Sequence, residues 1–247
     1  MNAQIRRLLG PVKPILRPVR DWVPYQLGRN IGPSDWIAPS WRARYNRLLA
    51  FGVRGMSRRN FLALKASYPY YKARGRYMSV ASRLIDELSA RYRLRTALEL
   101  GPHLRPIATN ADVLDIVAPP GLRTKGRVVK GDATGSWPFP DKAYDLVVAL
   151  QVFEHLGDRQ ADAFREVVRV ARHAIISLPV DWVMSDPANC HHGITEERVL
   201  GWFAPVKPTR VVEGNGGPKR RVIYVFENLP DGPPAAAGSA SGAPTAA

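Results

Sequence analysis

Between residues 96 and 178 the chain alternates short apolar runs with polar or glycine punctuation. Residues 97–100, 113–117, 127–130 and 145–150 have the length and composition of strands, and 174–178 is a fifth, ended by Pro179. Helical spacing fills the gaps. Val80, Leu84, Ile85 and Leu88 predict an amphipathic helix with Ser79 as its N-cap. Phe164, Val167, Val168 and Ala171 predict a second helix, capped by Asp158, and Thr195 opens a third. Glu196 and Glu197 in the first turn of that helix favour its dipole. Residues 206–213 and 221–227 flank Gly-Asn-Gly-Gly-Pro and predict a terminal hairpin. Only 14 positions separate Gly101 from Asp115, and Pro106 falls among them, so the first crossover helix is expected to be stunted.

Alternating strands and helices closed by a hairpin imply an α/β fold, a mostly parallel sheet with an antiparallel strand at its C-terminal end. Ligands of such sheets sit outside the carboxyl ends of the strands. Four successive strand tips carry Gly101, Asp115, Asp132 and the run from Gln151 to His155. The expectation is one crevice lined by all of them.

The flanks differ in character. Residues 1–95 hold 20 lysines and arginines against four acids, whereas the remainder holds 16 against 17. The net charge of +15 is therefore concentrated in the N-terminal part. Residues 1–77 are expected to form a basic, aromatic-rich extension or lid, with Trp22, Trp36, Trp41, Phe61 and Tyr71 among its rings. Helical spacing runs from Ile5 to Trp22, but Pro11, Pro14 and Pro18 break it, since an interior proline costs about 3 kcal/mol. The catalytic part is expected over residues 78–229, and residues 230–247 read as a disordered low-complexity tail. The lone Cys190 forms no internal disulfide, and neither a secretory signal nor an apolar run of membrane-spanning length is present. A cytoplasmic protein is expected, with peripheral association at the inner membrane surface as an extension of that reading. The basic arm suits an anionic membrane surface or nucleic acid.

The segment GDATGSWPFPDKAYDLVVALQVFEHL, preceded by ELG at residues 99–101, resembles class I S-adenosylmethionine-dependent methyltransferases. The likeness covers roughly residues 78–228 and implies a Rossmann-like seven-stranded sheet with S-adenosylmethionine as cofactor. Glu99 and Gly101 match the start of the family's E-x-G-x-G-x-G loop. Pro102 stiffens the turn, and His103 and Arg105 stand where the second and third glycines belong. His tolerates positive φ better than most side chains, and Arg105 is expected to reach the cofactor's carboxylate. The resemblance puts Asp115 on the ribose hydroxyls, Asp132 on the adenine amino group, the Ala133 N–H on a ring nitrogen, and Gln151 beside the transferable methyl. His155, whose unperturbed pKa lies near neutrality, is the candidate base.

Cys190, His191 and His192 are not expected to bind a metal, because three adjacent residues do not readily converge on one ion. His191 or His192 is expected to line the acceptor pocket, and His173 to be structural. Three functions compete. The first is methyl transfer, with oxygen as the expected acceptor atom, on a small-molecule, glycan or lipid-linked acceptor. The second is methylation of nucleic acid (RNA) held by the basic arm. The third is a non-catalytic binding protein on a degraded fold, which His103 and Arg105 motivate. A nicotinamide dehydrogenase is disfavoured, since G-x-G-x-x-G is absent.

Overall fold

The computed structural model describes residues 52–68, 71, 74–215 and 219–232. The predicted arm before residue 52, the hairpin turn at residues 216–218 and the tail from 233 lie outside the described residues. So do the partners expected for that arm. Two units divide the chain, one ending at residue 75 and the other comprising residues 52–55 and everything from Arg76. In the first, α1 (Arg58–Ser67) is capped by Ser57, whose side chain accepts from the Asn60 N–H. The Tyr68 and Tyr71 rings meet edge to face.

The second unit is built on a seven-stranded sheet in the order β3-β2-β1-β4-β5-β7-β6. Its strands are β1 (Ala97–Leu100), β2 (Asp112–Asp115), β3 (Val128–Lys130), β4 (Tyr144–Leu150), β5 (Ala171–Pro179), β6 (Arg210–Asn215) and β7 (Arg221–Phe226). The first five are parallel; β7 runs antiparallel to β5, and β6 antiparallel to β7. This is the predicted Rossmann-like α/β architecture. β1 to β3 step one way and β4 begins the other half, so the strand order reverses between β1 and β4.

Three helices cover the sheet: α2 (Gly75–Tyr92), α3 (Gln160–Val170) and α4 (Glu196–Phe203). The period of two along each strand sorts its side chains between faces. Leu98, Leu100, Val147, Ala149, Ala174, Ile176, Val222, Tyr224 and Phe226 face the stripe of Phe164, Val167 and Val168 on α3 and Phe203 on α4. The opposite face meets α2, where Tyr92 lies against His173 and Tyr77 accepts from Ser177.

Several local expectations need correction. Ser79 lies inside α2 rather than capping it, because the helix extends four residues further toward Gly75. Asp158 caps nothing: the N-cap of α3 is Arg159, which makes no side-chain cap bond. Ala171, buried with the predicted stripe, is the C-cap of α3 and also the first residue of β5, its N–H donating to the Val167 carbonyl. Thr195 caps α4 as expected, accepting from the Arg198 N–H. No helix separates β1 from β2 among the described residues, so the stunted crossover is real.

Two glycines differ in the space around them. A Cβ on Gly126, in the turn leading into β3, would sit 2.1 Å from the Ala111 carbonyl oxygen. One on Gly201, within α4, would meet nothing within 4 Å. Gly126→Ala should therefore lower stability by about 1–3 kcal/mol, while Gly201→Ala should raise it by about 0.5–1 kcal/mol. Urea denaturation of both variants checks this, and equal midpoints would contradict it.

Candidate active site

Each sequence-predicted residue can be followed at the carboxyl edge of the sheet. Glu99, on β1, is only 2% exposed. Its Oε2 accepts from the Ile107 N–H at 2.8 Å and the Ala108 N–H at 3.0 Å, and Oε1 also accepts from Ile107 at 2.9 Å. This side chain holds the loop that stands in for the missing crossover helix. Burial pushes its pKa up to about 8, although the two amide donors pull the other way.

Gly101 follows with φ +50°, and its N–H donates to the Leu114 carbonyl. Pro102 is half-buried, and His103 is exposed with φ +59°, the left-handed conformation expected where a glycine is missing. Arg105 is 2% exposed and among the largest fully buried side chains.

Asp115 and Asp132 share one arrangement. Asp115 Oδ1 accepts from the N–H groups of Val117 and Ala118; Asp132 Oδ1 accepts from the N–H and hydroxyl of Thr134. Among the described residues Oδ2 of each makes no hydrogen bond. The Gly131 N–H donates to the Asp115 carbonyl, which keeps the two strand tips together. Thr134 and, more weakly, the charge of Arg159 hold the Asp132 carboxyl below its usual value.

The motif after Asp132 secures this tip from below. The Trp137 indole donates to the Ala133 carbonyl, its backbone N–H donates to Glu166, and Arg169 donates to the carbonyls of Trp137 and Phe139. Ile116 and Val117, 59% and 69% exposed, follow Asp115 and offer an apolar surface that the sequence reading overlooked. Their position directly after Asp115 was the available signal.

Across the switch point stands Gln151, at φ +59°. Its N–H donates to the Ser177 carbonyl, its Oε1 accepts from Arg221 Nε at 3.1 Å, and its buried Nε2 has no hydrogen-bond partner among the described residues. Arg221 opens β7, with its guanidinium 4.8 Å from the Trp182 ring and 5.5 Å from that of Tyr77. Neither Arg221 nor Trp182 was foreseen, because only the hairpin's register brings Arg221 opposite Pro179. Val152 lies close beneath Gly101: a Cβ there would meet its Cγ2 at 3.4 Å.

His155 ends the 3-10 turn Phe153–His155 and is exposed. Its Nδ1 lies 3.3 Å from Cys190 Sγ, and its ring meets His191 edge to face at 5.1 Å. Partial burial lowers its pKa, favouring the neutral imidazole. His191 stacks on Trp182 at 5.5 Å. His192 turns away, its Nδ1 accepting from the Met184 N–H, so it does not join His191. The argument against a metal from three adjacent residues holds for His192 only: His155, Cys190 and His191 bring ligand atoms within 4.8 Å of one another. His173 accepts from the Asn228 N–H and serves the fold, as expected.

Residues 82–174 match a family described as a methyltransferase domain. The chain carries a class I S-adenosylmethionine-dependent methyltransferase domain. Ajmaline N-methyltransferase of Rauvolfia serpentina is 34% identical over 101 residues, 37% of this chain and 34% of that protein. The chain thus spans about a third of the length of that curated relative. Among solved structures, N-methyltransferase NodS from Bradyrhizobium japonicum WM9 with S-adenosyl-L-homocysteine is similar at 17% identity, covering 66% of this chain and 90% of NodS (TM-score 0.45). The Burkholderia thailandensis 1,6-didemethyltoxoflavin-N1-methyltransferase covers 78% of this chain and 92% of its own at 11% identity (TM-score 0.49).

The donor set of this methyltransferase domain fits S-adenosylmethionine. Two carboxylate oxygens without intramolecular bonds suit sugar hydroxyls and an adenine amino group, and the buried Gln151 Nε2 is a donor awaiting an acceptor. No helix among the described residues is long and apolar enough to cross a membrane.

The clamp at Glu99 predicts a pH dependence. Its carboxyl keeps its proton to about pH 8 in the folded protein, against an ordinary value of 4.5. Between these values the folded form binds more protons, so stability falls as pH rises, by at most about 1.4 kcal/mol per pH unit. Glu99→Gln should flatten that slope while costing about 1–3 kcal/mol, because its NH2 group cannot accept from the loop amides. Urea midpoints measured across this range test it; an unchanged slope would mean that Glu99 is ionised throughout.

Proposed function

We propose that this domain moves a methyl group from S-adenosylmethionine to a hydroxyl on a small-molecule, glycan or lipid-linked acceptor. The observation that carries the reading is the matched pair of aspartates. Each spends one oxygen on its own turn and keeps the other available at adjoining strand tips. Asp115 would hold the ribose and Asp132 the adenine, with Ile116 and Val117 against the base and the Ala133 N–H toward its ring. Gly101, Pro102 and His103 would let the backbone come close to the methionine end. Bound there, the cofactor supplies an electrophilic methyl on a sulfonium.

What remains for the protein is positioning and the removal of one proton. Gln151, oriented by Arg221, would hold its amide toward the crevice. His155 would take the acceptor's proton. With its Nδ1–H directed at Cys190 Sγ, the ring keeps a lone pair on Nε2, and the lowered pKa leaves it neutral and able to accept. The stacked His191 and Trp182 would form one wall for the acceptor.

Calorimetric titration with S-adenosylhomocysteine tests the cofactor half of the reading. Asp115→Ala should weaken binding by about tenfold or more, since losing a hydrogen bond to a charged group costs about 1.5–3 kcal/mol. Equal affinity in wild type and variant would remove Asp115 from the site, and no heat in either would favour a non-catalytic protein.

A further inference from the structure

We propose that His155, Cys190 and His191 form a binding site for a borderline-soft divalent ion, Zn2+ in the first instance. The 3-10 turn after β4 supplies one ligand, and the loop after β5 supplies two. Cys190 Sγ stands at the centre, 3.3 Å from His155 Nδ1 and 3.4 Å from His191 Nδ1. Nitrogen and sulfur ligands at roughly 2.0–2.3 Å from a tetrahedral ion lie about 3.3–3.6 Å apart. Both sulfur-to-nitrogen spacings fall in this range, and the three ligand atoms all lie within 4.8 Å of one another, so side-chain rotation is enough to close them on an ion. The two histidine rings are nearly perpendicular, at 84°, so they do not stack and block each other's approach to a shared ion.

A second observation comes from beneath the cluster. Glu154 is 4% exposed, and its Oε1 lies 3.9 Å from His191 Nε2. Metal-bound histidines commonly direct their other ring N–H at a carboxylate, which fixes the tautomer and strengthens the ligand. With His191 bound through Nδ1, Nε2–H points toward this buried acid. Asn189 Oδ1, now 2.8 Å from Nδ1, must give up that contact, and it retains the His191 backbone N–H at 3.0 Å. Three protein ligands leave a fourth position open, the arrangement of sites that exchange water or substrate rather than closed structural ones. A thiolate with two imidazoles selects Zn2+ over oxygen-seeking Mg2+ or Ca2+.

The ion and the proton-accepting role of His155 compete for one ring. Coordination through Nδ1 leaves the proton on Nε2, so a loaded site cannot also take a proton there. The proposal does not rest on methyl transfer, and its test reads binding directly.

Metal-free full-length chain titrated with Co2+ should develop a thiolate-to-cobalt charge-transfer band and the intensified visible bands of a tetrahedral ion, reaching a plateau at one equivalent. Zn2+ should then bleach them. Cys190→Ser, at an exposed position, should abolish the charge-transfer band with the thermal unfolding midpoint of the metal-free protein unchanged. Glu154→Gln should keep the band but weaken affinity by about 10–100-fold. No charge-transfer band in the wild type, or a band that survives Cys190→Ser, would overturn the assignment. A positive titration in a protein that fails to bind S-adenosylhomocysteine would leave the metal site standing and sink only the methyltransferase mechanism.

Discussion

A carboxylate buried under a loop shapes the cofactor side of this domain. Parallel strands usually need a crossover of a dozen or more residues, most often a helix, to return the chain to the same edge. Here residues 101–111 make the return without one. Unpaired amides in such a loop would be costly to bury, and Glu99 supplies the acceptors that Ile107 and Ala108 need. Held in this way, the loop keeps Gly101 and His103 in left-handed conformations at the switch point, beside Val152. Glu99, the acid at the start of the family pattern, thus spends its hydrogen-bonding capacity on the backbone of the loop that follows Gly101.

The two halves of the crevice are built by different means. On the β2 and β3 side, turns do the work: each aspartate bonds its own following residues, and Trp137, Glu166 and Arg169 brace the turn after β3 against α3. On the β4 and β5 side, tertiary contacts dominate. Gln151 depends on Arg221 from the antiparallel β7, and Arg221 in turn lies near the rings of Trp182 and Tyr77. One side of the crevice is thus held by local turns, and the other is assembled from separate segments of the chain.

Much of the cofactor side was legible because its signals are local. Apolar runs ending in Gly101, Asp115 and Asp132 mark strand tips, and parallel pairing brings tips level: Leu100 pairs with both Leu114 and Ala149, and Asp115 with Lys130. The positive φ of His103 was also foreseeable from its standing in a glycine's place. The burial of Arg105 was not legible, because its charge alone suggests exposure. Caps were misplaced at Ser79 and Asp158 because a capping residue type says nothing about where the preceding turn of helix begins.

The sequence by itself determined the order of strands and helices, the acids and glycine at their ends, and hence the class of fold, all of which follow from hydrophobic period and short-range turn chemistry. The cofactor came instead from the likeness of residues 99–101 and 131–156 to the methyltransferase family. Only the tertiary structure decided which polar groups meet. His155 and Cys190 are 35 residues apart, Gln151 and Arg221 are 70 apart, and Glu154 and His191 come from different loops. Such contacts depend on sheet register and on how two loops fold over one edge, and no local pattern encodes that geometry. For the same reason His191 joins the cluster while its neighbour His192 bonds the Met184 amide: adjacent side chains in a loop need not share a direction.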